Sequence, residues 1–291
     1  MKQIKPNKLL LGIWCGTAVI AAAMLGASAA TEFDVGTNYF NTKSPLLLAG
    51  LITAAISALA GILAAVFTDL KELRPMPFSA RRPMHPMVFG YLALIAAIAT
   101  NSYSDANPTL LGVTLVALIG AAIYSLLTAT AQPIAKAPVK TAGIGLLALL
   151  SGLLASVYFY FDVSVEMNAP LKLFVQLGLM ILMLYYTGEL RYLIGKPMPR
   201  LFMMLCTLTG TAAALSVVSI PTAFATNAFT RIDYLGCALL ILTAAITAAI
   251  RLVTILTPEQ TKQFPVEDSS DPNSNSDSPD EPTDTNGKDP T

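Results

Sequence analysis

Charged residues are scarce in this chain of 291 residues. They make up 12% of it, and its mean hydropathy is +0.62, whereas a soluble domain carries about 25% charged residues. So few charges cannot cover a water-facing surface, which excludes an ordinary soluble domain. Three cysteines are too few to build a disulfide scaffold. The class that remains is a polytopic membrane protein.

The chain also has little of the chemistry that enzymes use. Its single histidine, His85, cannot supply two axial ligands to a haem or form a His-rich zinc site. CxxC, HExxH, GxxxxGK[ST] and GxSxG motifs are all absent from the sequence. We therefore expect no cofactor, no metal centre and no nucleic-acid partner, and we favour a protein that is not an enzyme.

Long apolar runs are what the sequence has in abundance. About 20 apolar residues cross the bilayer core as a helix, and eight charge-free runs approach or exceed that length. Only the sixth is short, and Lys172 at its start can snorkel towards water. We predict an all-α membrane protein with eight transmembrane helices, within residues 9–31, 44–68, 85–104, 106–135, 141–161, 173–188, 201–230 and 234–250.

The basic residues predict how these spans are oriented. With eight spans, 15 of the 18 Lys and Arg residues fall on the side that holds both chain ends, and the positive side is cytoplasmic. We therefore predict a multi-pass protein of the cell's inner membrane with both termini in the cytoplasm. A cleaved signal peptide is the alternative for the first run, because three lysines and the Ala27–Ala29 segment resemble one; we favour retention.

Two stretches of the sequence resemble each other. Phe33-Asp34-Val35 matches Phe161-Asp162-Val163, and Glu72-Leu73-Arg74 matches Glu189-Leu190-Arg191, each of the latter pair being followed by Pro-Met-Pro. These markers predict two four-helix halves, residues 1–140 and 141–256. An even number of spans in each half makes the repeat parallel, about an axis along the membrane normal.

The last segment, residues 257–291, has a different composition. It holds nine acidic and two basic residues among Ser, Pro and Asn, with few apolar side chains. Such a segment cannot bury enough surface to become ordered, so we predict a disordered acidic cytoplasmic tail. It is either simply solvated or binds a basic partner or the inner loops.

Three further patterns concern the spans themselves. Aromatic residues near span ends (Tyr158–Phe161, Tyr185, Tyr186 and Tyr192) are typical of an interfacial belt. No charge lies in the middle of a predicted span, which argues against a proton relay or a voltage sensor. Small residues four apart predict close helix packing, at Ala22/Gly26, Ser57/Gly61, Gly210/Ala214 and Ala244/Ala248.

The repeat also suggests a binding site on the outer face. Asp34 and Asp162 become equivalent in the two halves, and each is followed by an asparagine; Asn41, Asn168 and Glu166 complete the set. Converging carboxylates and amides could hold a cation or an amine headgroup. The simpler interpretation is loop and N-cap chemistry.

The inner face carries a second set of equivalent residues. Glu72, Arg74, Glu189 and Arg191 stand before the Pro-Met-Pro segments, either as helix-end anchors or as a docking surface for a soluble partner. The expected function is a non-enzymatic membrane subunit or scaffold that contacts membrane lipid and a protein partner at the cytoplasmic face. The alternative is a transporter or channel for a neutral or weakly polar solute or a lipid.

Overall fold

The computed structural model describes residues 6–34, 37, 39–41, 43–69, 86–100, 107–129 and 138–256. Its helices are α1 (Pro6–Thr31), α2 (Pro45–Val66), α3 (Met87–Thr100), α4 (Pro108–Ala129), α5 (Pro138–Tyr160), α6 (Pro170–Leu193), α7 (Pro199–Ser216), α8 (Ser219–Ala225) and α9 (Ile232–Leu256). Two short antiparallel strands, β1 (Phe33–Asp34) and β2 (Tyr39–Phe40), form a hairpin between α1 and α2, with Phe33 opposite Phe40. The acidic segment 257–291 lies outside the described residues.

Proline marks the start of most of these helices. Six of the nine begin with it, because its fixed φ suits the first turn and its missing N–H is not needed there. At α2 the preceding Ser44 also caps the helix, accepting a hydrogen bond from the backbone N–H of Leu47 at 3.0 Å. The local sequence therefore determines where these helices begin.

Seven of the apolar helices in the described ranges are long enough to cross a membrane. They are α1, α2, α4, α5, α6, α9 and the pair α7–α8, which together cover Pro199–Ala225. The predicted seventh span is thus a broken helix. Pro221 stands in the first turn of α8 and cannot donate to the carbonyl of Val217, so the regular ladder ends there.

Helix α3 is shorter than these seven spans, with 14 residues and a length of about 21 Å. Near its start, the Tyr91 hydroxyl donates to the Tyr186 hydroxyl at 2.8 Å, seven residues before the end of α6. Near its end, Ala97 lies against Gly236, in the first turn and a half of α9. Helix α3 therefore extends between levels close to the two ends of its neighbours.

Close packing occurs at the small residues that the sequence singled out. A Cβ on Gly210 would lie 2.5 Å from the Trp14 ring, and one on Gly26 would lie 2.3 Å from Val218. Ala244 and Ala248 are fully buried. The prediction of close helix contacts at these positions is confirmed.

Large apolar side chains also cover the outside of the bundle. Val116, Val19 and Leu48 are 65%, 64% and 61% exposed, and they belong to three different helices. Water does not favour such a surface, whereas hydrocarbon does. The fold is therefore the multi-pass helical bundle that the composition predicted.

Helix pairing agrees with the proposed duplication only in part. Helix α1 packs on α2 as α5 packs on α6, and α3 packs on α4 as α7 packs on α9. A two-fold repeat would also pack α7 on α4 in the way that α3 packs on α9. Among the described residues, α4 and α7 make no comparable contact, so the duplication stays a prediction.

Candidate functional site

A buried ion pair joins α6 to α9 near one end of the bundle. Arg251 Nη2 donates to Glu189 Oε1 at 3.1 Å, and the Glu189 side chain is only 1% exposed. Both residues lie within about two turns of the C-terminal ends of their helices. We call these two residues the Glu189 pair, and the end of the bundle that holds it the Glu189 end.

Helices α6 and α9 extend past the predicted charge-free spans at both ends, so each includes charged residues near its ends. Helix α6 includes both Lys172 and Glu189, and α9 includes Asp233 and Arg251. A charge-free run stops at the first ionisable residue by definition, so it cannot detect a charge that is paired inside the bundle. Lys172 does not snorkel either: it is buried and donates to a backbone carbonyl, that of Asp162, at 2.6 Å.

Buried tyrosines surround the Glu189 pair and link four helices. Tyr91 of α3 donates to Tyr186 of α6, and Ser151 of α5 approaches the Tyr91 hydroxyl at 3.5 Å. Ser125 of α4 also hydrogen-bonds to Tyr186. The ring of Tyr124 packs edge-on against that of Tyr186, with 5.8 Å between the ring centroids. Hydroxyl groups from four helices thus meet in an otherwise apolar core.

Two tyrosine hydroxyls in this core have no hydrogen-bond partner within the described part of the chain. They belong to Tyr124 and Tyr185, which are 1% and 0% exposed. The charges of Glu189 and Arg251 act on both of these phenol groups. Buried polar groups without partners are uncommon in native structures, so this cluster is a candidate binding site.

The predicted interfacial belt is wrong for most of its aromatic residues. Tyr158, Phe159, Tyr185 and Tyr186 are at most 1% exposed and pack within the core, whereas Tyr160 is 47% exposed. Their rings bury a large apolar area against neighbouring helices. Position near a span end does not distinguish a lipid-facing ring from an inward one.

A second ionic group lies at the other end of α6 and α9, which we call the Asp162 end. Asp162 is fully buried and accepts from Arg231 at 3.0 Å, from the Tyr234 hydroxyl at 3.2 Å and from the Ser164 N–H at 3.0 Å. Arg231 also pairs with Asp233 of α9 at 2.5 Å. We call these five residues the Asp162 cluster.

The Asp162 cluster holds Arg231 firmly in its charged form. Burial by itself would lower the pKa of Arg231, but the hydrogen bond and charge of Asp233, followed by those of Asp162, outweigh it. The pKa of Arg231 therefore rises above its ordinary value. Asp162, a predicted outer-face ligand, has its carboxylate engaged by partners from its own chain.

The other predicted outer-face residues are spread over two loops. Asp34 lies in β1 and accepts from the Thr37 hydroxyl at 3.0 Å, and Asn41 follows β2. Both line an open pocket of about 630 Å³ beside the hairpin. Glu166 and Asn168 lie in the α5–α6 loop, where both are exposed. Asp34 thus shares a pocket with Asn41, and the pocket lining does not include Asp162.

One contact does connect these two loops. Glu166 accepts a hydrogen bond from Tyr39 of β2; this bond, together with burial and the carboxylate charge, raises the pKa of Tyr39 above its ordinary value. The contact needs the neutral phenol, so it is present at neutral pH and is lost as the pH rises through that raised pKa. The loops approach each other through this pair, a pairing that the sequence did not indicate.

The predicted inner-face residues have different fates. Glu72 and Arg74 lie outside the described residues. Glu189 points into the bundle towards Arg251, so its carboxylate is not available for docking. Arg191 lies in the last turn of α6 and is partly exposed. Of the two described members of this set, only Arg191 reaches the surface.

Side chains that could bind a metal are dispersed in the described part of the chain. No group of three or more His, Cys, Asp or Glu residues comes together there. Cys206 and Cys237 are buried in different helices, and Cys15 is exposed on α1. The chemistry that the described residues do offer is a paired carboxylate and guanidinium with phenol hydroxyls around them.

The long apolar helices and the apolar exterior of the described part are compatible with a multi-pass α-helical membrane protein. Comparisons with protein families, with curated proteins and with solved structures gave no match. The sequence reasoning missed the Glu189 pair, the Asp162 cluster and the tyrosine core. The available signal was four charges directly beside the ends of two predicted spans, on the helices that carry Tyr185, Tyr186 and Tyr234; they are Lys172, Glu189, Asp233 and Arg251.

Proposed function

We propose that the chain crosses the membrane eight times, in two parallel four-helix halves. The span of α3 between Tyr186 and Gly236 supports the eighth crossing, and the flanking sequence is charge-free over residues 85–104. With eight crossings both termini lie on the side of the Glu189 end. The excess of Lys and Arg on that side supports a cytoplasmic location in a cell's inner membrane.

We further propose that the protein acts without catalysis, as a membrane subunit or scaffold with a protein partner at its cytoplasmic face. The observation that supports this role is that buried ionic contacts join α6 to α9 at both ends. Asp162 joins the two helices at one end, through Lys172 and Arg231, and the Glu189 pair joins them at the other. Rocking these helices apart would leave buried charges unpaired, which is costly, so they suit a rigid support.

The partner would meet the basic residues near the α6–α7 turn. Lys196 and Arg191 are solvent-accessible there, next to the rigid Pro197–Pro199 segment. This proposal keeps Arg191 as a docking residue and assigns Glu189 to the core.

The test is purification of the full-length chain in a mild detergent, followed by mass measurement of the complex. We expect a stoichiometric partner protein that is lost from Lys196→Glu. Lys43→Glu, an equally exposed lysine at the Asp162 end, should keep it and serves as the matched control. A chain that purifies alone, or a partner retained by both variants, would contradict the proposal.

A transporter or channel for a small neutral solute is the second candidate. The hydroxyls of Tyr124 and Tyr185, which have no partner among the described residues, favour it, because such a protein needs an internal polar site. Uptake of a small neutral solute into liposomes that contain the purified chain alone would favour this candidate over the scaffold.

A further inference from the structure

Two phenol groups in the core differ from three other buried tyrosines. Tyr91, Tyr186 and Tyr234 all place their hydroxyls on a partner from the chain, a tyrosine, a methionine or an aspartate. Tyr124 and Tyr185 are buried as completely but find no such partner among the described residues. Leaving a buried hydroxyl without a hydrogen bond is energetically costly.

The two unpaired hydroxyls belong to one cluster. Both rings lie 5.8 Å from the ring of Tyr186, in edge-on contacts, and the Tyr185 phenol is close enough to that of Tyr124 to be influenced by it. Helix α4 supplies one phenol and α6 the other. Because both phenols pack against the same ring, we treat them as one local cluster and not as two unrelated packing defects.

The Glu189 pair gives this cluster its electrostatic character. Glu189 and Arg251 act on both phenol groups, but the carboxylate and the guanidinium already neutralise each other at 3.1 Å. A net charge introduced beside a satisfied pair in a low-dielectric core would be costly. A molecule suited to this place is therefore uncharged and able to hydrogen-bond.

We propose that Tyr124, Tyr185 and the Glu189 pair form an internal binding site for a small neutral hydrogen-bonding molecule, between α4, α6 and α9. Each phenol donates to the molecule's oxygen. The ion pair supplies a donor and an acceptor at the side of the site, and the rings of Tyr185, Tyr186 and Phe202 form apolar walls. Water has this chemistry, and so does a small alcohol or amide. The site does not depend on whether the bundle also has a protein partner.

The first experiment asks whether removing either hydroxyl raises or lowers the melting temperature, Tm. If nothing binds the hydroxyls, Tyr124→Phe and Tyr185→Phe remove an unsatisfied polar group and raise Tm or leave it unchanged. If the site holds a ligand, each substitution removes a hydrogen bond and lowers Tm by about 2–4 °C. Tyr91→Phe, which loses a known bond to Tyr186, gives the scale of such a loss.

The second experiment identifies the molecule, with hydroxyl-radical footprinting of the purified protein. Bound water would label Tyr124 and Tyr185 faster than Phe159, which is as deeply buried and serves as the dry reference. Slow labelling together with a lowered Tm in the variants would identify a retained solute, seen by native mass spectrometry as added mass that the double variant lacks. A Tm that rises or stays unchanged in both single variants would overturn the proposal.

Discussion

At the scale of single residues, the Glu189 pair is a buried ionic contact between α6 and α9. The Glu189 side chain is 1% exposed and its guanidinium partner 13% exposed, so little water can screen or solvate either charge. Water cannot solvate a buried charge that has lost its counter-ion, and the folded state is then destabilised by about 3–5 kcal/mol. Within a membrane the alternative of local hydration is weaker still.

We therefore expect Glu189→Gln to destabilise the protein by about 3–5 kcal/mol, because Arg251 keeps its charge and loses its counter-ion. Unfolding in mixed detergent micelles would measure the change. Replacing Arg251 as well, as in E189Q/R251Q, removes the unpaired charge and should recover most of the loss.

Glu166→Gln is the matched control for that prediction, since Glu166 is an exposed carboxylate in the α5–α6 loop. We expect it to leave the unfolding midpoint unchanged within error. If Glu189→Gln behaved in the same way, the buried pair would have no structural role and the rigid coupling of α6 to α9 would be contradicted.

At the scale of helices, the contact between α1 and the rest of the bundle is centred on the only tryptophan. Trp14 Nε1 donates to the Thr207 carbonyl at 3.0 Å and to the Thr211 hydroxyl at 3.2 Å, and Ser57 of α2 donates to the Trp14 carbonyl. Gly210 lets α7 approach the flat indole ring. These hydrogen bonds and the close approach of Gly210 hold α1 against α2 and α7.

Gly210→Ala is expected to separate α7 from α1. Its Cβ would lie 2.5 Å from the Trp14 ring, a distance at which something must move, and overpacking of this kind costs about 1–3 kcal/mol. The single tryptophan reports the change directly, as a shift in its fluorescence emission, and a thermal melt reports the stability.

The control for this substitution lies on α1 itself. Gly16→Ala introduces the same methyl group where nothing stands within 4 Å, and an alanine favours the helix over glycine by about 1 kcal/mol. We expect it to stabilise the protein and leave the emission unchanged. Equal effects from the two substitutions would show that the indole contact is not tight.

At the scale of the whole molecule, the contacts between helix ends in the described residues agree with helices that alternate in direction. The start of α7 meets the end of α2 where Arg200 donates to the Thr68 carbonyl, and the start of α2 meets the end of α1 where Ser44 bonds Ser28. Such alternation follows from short connections between spans. It separates the Asp162 end from the Glu189 end by the length of α6.

This arrangement predicts the result of a topology map. Single cysteines at Asn168 and Lys196, on opposite ends of α6, should react with a membrane-impermeant reagent from opposite sides of the membrane, in a background from which Cys15, Cys206 and Cys237 have been removed. Tags at both chain ends should share the side of Lys196. Chain ends on opposite sides would leave α3 outside the membrane and contradict eight crossings.

The sequence alone determined the features that depend on local composition. The lack of charge excluded a soluble fold, the prolines and Ser44 marked where spans begin, and the small residues at Gly26, Gly61 and Gly210 marked close helix contacts. Each of these follows from the solvent or from the backbone at one position. None requires knowing which helix is the neighbour.

Only the tertiary structure decided which polar side chains meet. Glu189 and Arg251 are 62 positions apart, and Tyr91 and Tyr186 are 95 apart. In the sequence these residues have the spacing of helix-end anchors and belt aromatics, and the two environments differ only in the direction that the side chain faces. That direction is set by the packing of α3, α4, α6 and α9 against one another, because burial in a bundle is a property of neighbouring helices and not of a single segment.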